Sequence, residues 1–468
     1  MKHFGILVAL LAINISAYAQ AKYVFYFIGD GIGTNQILGA EMYRSALQGE
    51  PLGRIQTYMT QLPYSGQMYT HSATNGVTDS GAAGTCLATG IKTRNGIIGL
   101  GMKGDTLLSI TDELKAKGWG IGIITTVGID HATPSSFYAH SDDRNNYYQI
   151  GQQLCKSNYD FVGGAGFHHP RGYHSDKPCL YGIAEAEGYQ IAYGYPQAQS
   201  VLASDSLPNK LIMVQAADSF CYKHHGSNLR YSIDRKEGDL SLSEIVQIGI
   251  PFMSRQHERF FMMIEGGMID YACHGNDGRT AIEEVWDMSD AMKYALDFYH
   301  SHPEETLILV VADHESGGMS IGRDGDYTLH LDLLQYQQCS SWVLSDLFSA
   351  LFKTKSSPSW QDVQAIYRTQ LGFWEGVEIS AAEEKELKEL YLSAISNTGK
   401  DTHTMYKTIH QLGDAGIRLL NKKARVGWTS HSHTAHAVPV FAIGVGAERF
   451  SGWHDNTEIV PLIRKAIE

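Results

Sequence analysis

Five apolar runs in this chain end or begin at acidic or histidine residues, and that arrangement narrows the folds open to it. Tyr23 to Gly29 (YVFYFIG) is continuous and aromatic-rich, which suits a central strand buried on both faces. It runs into Asp30-Gly31-Ile32-Gly33, and Thr34 to Leu47 then shows helical spacing at Ile37, Leu38, Met42 and Ala46. Strand, acidic turn and helix make the first unit of a doubly wound sheet. Thr106 to Lys117 predicts a helix closed by Gly118, and Gly120 to Thr125 the next strand, followed by Asp130-His131-Ala132-Thr133 and Arg144. Arg259 to Ile264 closes on Glu265, with Asp270 and His274 beyond it; a spacing of four puts both on one face of a helical turn. Leu307 to Ala312 ends in Asp313-His314, and Val438 to Val445 starts just after His431, His433 and His436. The expected fold is α/β: a doubly wound, mostly parallel central sheet with helices on both faces.

Ligands in such sheets gather at the carboxyl ends of the strands. Asp30, Glu265, Asp270, Asp313 and His314 fall at or just after strand ends, and His433 just before one. In a parallel sheet these turns share one edge. Burying so many like charges together is prohibitive without cations. Asp and His without Cys suit zinc in a catalytic role, and Thr and Glu oxygens suit magnesium.

Val77 to Gly90 (VTDSGAAGTCLATG) has a different character. Asp79 and Ser80 are good helix caps, and an Ala/Gly run after them is ordinary tight packing. Gly81 and Gly84, however, each weaken a helix by about 1 kcal/mol relative to Ala. Bare backbone at a helix N-terminus leaves room for a bulky ligand beside Ser80, and the dipole there favours an anion. A lone serine needs a base, a metal or a charge to become a nucleophile.

The rest of the chain sets the context. With 468 residues, 43% of them apolar, a large core is available. Net charge is −13 with no basic stretch, so nucleic acid is not expected as a specific partner. Residues 1–19 read as a secretory signal: Lys2 and His3, an apolar stretch from Phe4 to Ile15, and the small-x-small site Ala17-Tyr18-Ala19. No other segment is long and apolar enough to span a membrane, so a periplasmic or secreted protein is expected. Of the six cysteines, Cys155, Cys179 and Cys221 are the best disulfide candidates in an exported chain. Asp160 to Tyr231 reads as irregular strands and loops, with His168-His169 and His224-His225 as surface or loop histidines. Glu283 to Tyr299 reads as an amphipathic helix. Residues 20–468 form one domain in this reading. Within it, 315–430 is an inserted helical cap or dimer-contact region, with helices over Leu331–Phe352, Asp362–Leu371, Ala381–Ser396 and Tyr406–Leu420.

The pieces FIGDGIG, VTDSGAAGT, DHATPSSFYAH, EGGMID and ADHESGG, followed by HSHTAH, resemble the alkaline phosphatase family in order and spacing. By that resemblance Ser80 is the nucleophile that becomes a phosphoserine. Asp270, His274 and His433 match the ligands of one zinc. Asp30, Asp313 and His314, with Ser80, match those of a second. Asp30 also bridges towards a magnesium site completed by Thr133 and Glu265. Arg144 matches the arginine that clamps two phosphate oxygens, and Asp79 the carboxylate that positions it. His131 stands where some members have Asp, so zinc and magnesium could compete at that site. Tyr271 stands near the phosphate, where members often carry Lys or His. The implied activity is hydrolysis of phosphate monoesters to an alcohol and phosphate at an alkaline optimum, with two zinc ions and one magnesium, in a homodimer. The alternatives are a phosphodiesterase or sulfatase of the same superfamily, and a metal- or phosphate-binding protein without turnover. The stretch Ser80-Gly81-Ala82 lacks a sulfatase C/S-x-P-x-R motif, and Arg144 favours the monoester.

Overall fold

The structure, a computed structural model, describes residues 20–216, 228–325, 327–355 and 357–468. The signal-like residues 1–19, Cys221 and His224-His225 lie outside the described residues.

Among the described residues ten strands form the main sheet: β1 (Tyr23–Gly29), β2 (Tyr64–Tyr69), β3 (Gly120–Thr125), β4 (Phe161–Gly164), β5 (Tyr189–Tyr193), β6 (Lys210–Val214), β7 (Phe260–Glu265), β8 (Thr306–Ala312), β9 (Val438–Gly444) and β10 (Gly452–Asp455). Their spatial order is β10-β2-β9-β8-β1-β7-β3-β4-β6-β5. Every residue of β3, β7 and β8 is buried, and all but the first of β1. Strands this apolar need cover on both faces, and helices packed around the sheet supply it.

Three of the acid-bearing turns sit on neighbouring strands. β1 lies between β7 and β8, with Ile28 paired to Glu265 and Gly29 to Ala312. Asp30, Glu265 and Asp313 therefore leave the sheet side by side. β9 is antiparallel to both of its neighbours. Its start consequently lies at the edge where β1, β7 and β8 end, and that is why a histidine preceding β9 can join acids that follow the other strands.

The stretch Asp160–Tyr231 is more regular than its sequence implies. β4, β5 and β6 extend the parallel sheet, with short helices Leu180–Ala186 and Gly194–Leu202 between them. These strands are brief and Gly/Tyr-rich, so their periodicity is weak. The helix expected from Thr106 begins only at Ile110, because the Ser109 side chain caps Asp112 N. The helix expected over Leu331–Phe352 is broken: a 3₁₀ turn (Leu331–Tyr336) precedes a helix over Ser341–Thr354 capped by Ser340. Tyr406 lies outside any helix, in the turn between Thr402–His403 and Thr408–Ile409, and the following helix starts at Gln411. Short ladders join Glu315-Ser316 to His433-Thr434 and Ser320-Ile321 to Val426-Gly427.

Cys155 and Cys179 carry free thiols, against the disulfide expectation. The Cys155 thiol is buried and donates to the Leu180 carbonyl at 3.4 Å. Among the described residues no helix is long and apolar enough to cross a membrane.

Candidate active site

Helix α1 (Thr34–Leu47) follows the Asp30 turn. The turn needs Gly31, whose φ is +76° and whose site for a Cβ lies 2.8 Å from Asp270 Cα. A side chain there would push apart the two turns that carry Asp30 and Asp270.

Helix α2 (Ser80–Thr89) starts on Ser80, with Asp79 as its N-cap. All ten residues are buried. The small side chains serve packing against protein rather than clearance for a ligand. A Cβ on Gly84 would stand 2.8 Å from Ser136 Oγ and 3.3 Å from Thr133 Cα, and one on Gly81 would stand 3.1 Å from Ile97 O. Gly84 lets α2 lie directly on the turn that holds His131 and Thr133, and Gly81 lets it lie against Ile97 and Ile98.

Helix α3 (Met268–His274) presents Asp270 and His274 one turn apart, as the spacing implies. His274 Nε2 lies 3.4 Å from Asp270 Oδ1. His433 Nε2 lies 3.1 Å from His274 Nε2 and 3.6 Å from Asp270 Oδ1. The tautomers follow from the partners. His274 Nδ1 faces the His431 carbonyl at 2.5 Å, and His433 Nδ1 faces the Thr78 carbonyl at 2.8 Å. Carbonyls only accept, so both Nδ1 atoms carry a proton and both Nε2 atoms are turned towards Asp270 and each other. Three ligand-type atoms thus converge, an arrangement that fits a cation.

A second convergence lies next to it. His314 Nε2 is 3.4 Å from Asp30 Oδ1, 3.2 Å from Asp313 Oδ2 and 3.2 Å from Ser80 Oγ. Ser316 Oγ donates to Asp270 Oδ1 and lies 3.3 Å from His314 Nδ1. It therefore accepts from His314 Nδ1–H, leaving His314 Nε2 free to face the two carboxylates. The His314 and His433 rings stack at 3.6 Å, which brings the two groups together. Donor atoms of Asp30, His131 and Glu265 form a third cluster, within 4.8 Å of one another. Thr133 sits beside Glu265, and Thr125 donates to the latter's other side.

Both oxygens of Asp30, Asp313 Oδ2 and Glu265 Oε1 are buried without a hydrogen-bond partner. Burial first, then the neighbouring carboxylates, pushes Asp30 and Asp313 well above the usual carboxylate range. Burial pushes Glu265 up to about 7 against the hydroxyls that oppose it. Burial also works against the Asp270 charge, but His274, His433 and His314 outweigh it and hold that carboxyl low. Burial, then His433, keeps His314 neutral by lowering its pKa well below the usual value. Orphaned oxygens and neutral imidazoles at such spacing fit divalent cations.

Arg144 lies across from these clusters. Its Nη1 donates to Asp79 Oδ2 at 2.9 Å, and its Nη2 lies 3.3 Å from His131 Nε2. A guanidinium only donates, so His131 Nε2 accepts and the proton sits on Nδ1. Burial, then Arg144, lowers the His131 pKa well below the usual value. His131 is thus tied to Arg144 as well as lying by Asp30 and Glu265. Tyr271 is buried, its ring centroid 6.0 Å from that of His131, and its hydroxyl bonds to the Asn228 side chain.

All thirteen side chains singled out by sequence come together in this region. Sequence reasoning missed two others. Ser316 bridges Asp270 and His314, and Tyr406 donates to Asp270 Oδ2 at 2.9 Å. Ser316 follows the ADHE block, a local signal that was available. Tyr406 is 136 residues from Asp270 and carries no local signal. His168 is no free surface group: its Nδ1 pairs with buried Asp130 at 2.7 Å.

A parallel-sheet edge with clustered cation donors, a serine among them and an arginine opposite defines a metal-dependent hydrolase of anionic esters. The sequence profile described as alkaline phosphatase matches residues 21–160 and 215–468, and the chain belongs to that family. It is 29% identical over 459 residues to "Alkaline phosphatase 4" of Bacillus subtilis (strain 168), covering 96% of this chain and 89% of that one. It is 25% identical to "Repressible alkaline phosphatase" of Saccharomyces cerevisiae (strain ATCC 204508 / S288c), over 97% of this chain and 82% of the relative. Among solved structures, the cold-active alkaline phosphatase of Shewanella sp. superposes with a TM-score of 0.78 at 27% identity, covering 95% of this chain and all (100%) of that one. The protein is accordingly a phosphatase, and phosphate monoesters are its substrate class.

Proposed function

We propose that the enzyme hydrolyses phosphate monoesters through a phosphoserine at Ser80, at an alkaline optimum, with two zinc ions and one magnesium. The observation that carries this reading is the pair of buried carboxylate–imidazole trios, Asp270/His274/His433 and Asp30/Asp313/His314, with Ser80 Oγ on the second. Those trios fit zinc, and Asp30, Glu265 and Thr133 offer the oxygen set magnesium prefers. When bound, the cations lower the serine pKa and neutralise charge on the phosphoryl oxygens and the leaving alkoxide.

The chain's own residues do the rest. Ser80 Oγ forms a bond to phosphorus as the ester P–O bond breaks, and the alcohol leaves. The alcohol carries off the serine proton; water then attacks phosphorus, the Oγ–P bond breaks, and Ser80 Oγ takes a proton from that water as phosphate departs. Arg144 receives two phosphoryl oxygens on its planar fork, and Asp79 and His131 fix the direction of that fork. The reaction depends on in-line placement and charge stabilisation more than on covalent assistance.

Export, guided by residues 1–19, and a homodimer with 315–430 as cap or contact region complete the proposal. Hydrolysis of an aryl phosphate monoester, its diester and its sulfate is the decisive comparison, run with and without chelator and with Ser80→Ala. The monoester should be fastest, and chelator should abolish its turnover. A monoester rate untouched by chelator would refute the metal reading, and a faster diester would refute the role given to Arg144.

A further inference from the structure

Asp270 is held from two sides. Ser316 Oγ donates to its Oδ1, the oxygen that faces His274 and His433. Tyr406 donates to its Oδ2 at 2.9 Å. With one donor on each oxygen, the carboxylate plane cannot rotate without losing a hydrogen bond. The Tyr406 ring is held as well: it lies flat on Tyr271, centroids 3.5 Å apart and planes 6° apart, and stands edge-on to His274 at 5.2 Å. Within its hairpin Thr404 Oγ1 donates to the Lys407 carbonyl at 2.7 Å, and beyond the site Lys407 Nζ pairs with Asp346 Oδ1 at 2.7 Å.

We propose that Tyr406 is a positioning residue for the Asp270/His274/His433 cation site, and that its hydroxyl on Asp270 helps set the affinity of that site. The inference rests on the reading that these three residues hold a cation. A ligating carboxylate that is itself hydrogen-bonded is pre-oriented, and losing such a partner typically weakens metal binding about 10–100-fold. The hydroxyl supplies that bond, while the ring holds the hydroxyl in place through Tyr271.

Tyr406→Phe separates these contributions, since it keeps the stack and deletes only the hydroxyl. The measurement is zinc affinity of the chelator-stripped protein, by competition with a chromophoric chelator, together with its thermal midpoint. We expect one zinc to bind at least tenfold more weakly in Tyr406→Phe, with the stripped protein still unfolding in one cooperative transition. Aryl phosphate turnover should fall at limiting zinc and return at saturating zinc, which a merely structural role would not allow. Equal zinc affinity in wild type and variant overturns the role of Tyr406, as does a loss of turnover that excess zinc does not restore. Failure of wild type to bind zinc at all overturns the cation reading beneath it.

Discussion

Asp79 splits its carboxylate between two tasks, one of which is to hold Arg144. Oδ1 accepts from Ala82 N at 2.9 Å and caps α2, while Oδ2 accepts from Arg144 Nη1 at 2.9 Å and from Gly96 N at 3.0 Å. Burial opposes the charge, but Arg144 and the two backbone amides outweigh it and hold the Asp79 carboxyl below its usual range. One residue thus fixes both the start of the nucleophile's helix and the direction of the guanidinium.

The two tasks separate in Asp79→Asn. Asparagine caps a helix about as well as aspartate, so the start of α2 should hold, while the unpaired Arg144 and Gly96 donors should cost about 1–3 kcal/mol. Arg144 loses its charged partner, and KM for an aryl phosphate should rise about tenfold with kcat less affected. Steady-state kinetics beside a thermal melt checks this; a large stability loss with unchanged KM would show that only the cap matters.

Ser80→Ala should lower turnover by about 10³-fold or more. Stability should stay near wild type, because the cap comes from Asp79 and the Ser80 hydroxyl faces His314 rather than the helix backbone. Acid quenching with a radiolabelled monoester should trap label on wild type and none on the variant.

Gly84→Ala tests whether the small residues of α2 serve packing. The added methyl gains about 1 kcal/mol of helix propensity but lands 2.8 Å from Ser136 Oγ and 3.3 Å from Thr133 Cα. Overpacking costs about 1–3 kcal/mol, so a net destabilisation of about 1 kcal/mol is expected, the same with and without phosphate. Denaturant unfolding in both conditions reads it; destabilisation only with phosphate would restore the ligand-clearance reading.

Cation removal should destabilise the fold as well as stop turnover, because unpartnered carboxylates are left buried together. Restoring zinc at about a hundred times its Kd adds roughly 2.7 kcal/mol per site. Differential scanning calorimetry against zinc concentration checks this, and a midpoint indifferent to zinc would contradict it.

Away from the site, Glu284 gives a pH dependence. Burial, then Asp287 beside it, pushes its carboxyl up to about 8 from an ordinary 4.5, against the opposing Arg235. Asp287 is itself held by Arg235 in two contacts of 2.8 and 2.9 Å. The folded protein keeps this proton to about pH 8 while the unfolded chain loses it near 4.5. Stability from this group is therefore full below pH 4.5 and falls as pH rises to 8, by up to about 1.4 kcal/mol per unit. Glu284→Gln keeps an acceptor for Ser232 N, which lies 2.6 Å away. That variant should be flatter over this window and more stable at pH 8 by urea unfolding.

What the sequence determined by itself is the chemistry and the frame around it. Continuous apolar runs marked β1, β3, β7, β8 and β9 because strands buried on both faces leave little choice of side chain. The acids after them were visible because each lies within a few residues of its strand. Asp270 and His274 were paired by helical spacing alone. Tertiary structure decided what depends on distant segments meeting. The antiparallel course of β9 carries His433 to the shared edge. The partners of each Nδ1 fix which histidine nitrogens face the site. Gly84 of α2 proved to be a contact point with the His131–Thr133 turn. Tyr406 reaches Asp270 across 136 residues. No periodicity records such encounters, because side-chain spacing encodes the face an element buries and not the partner that covers it.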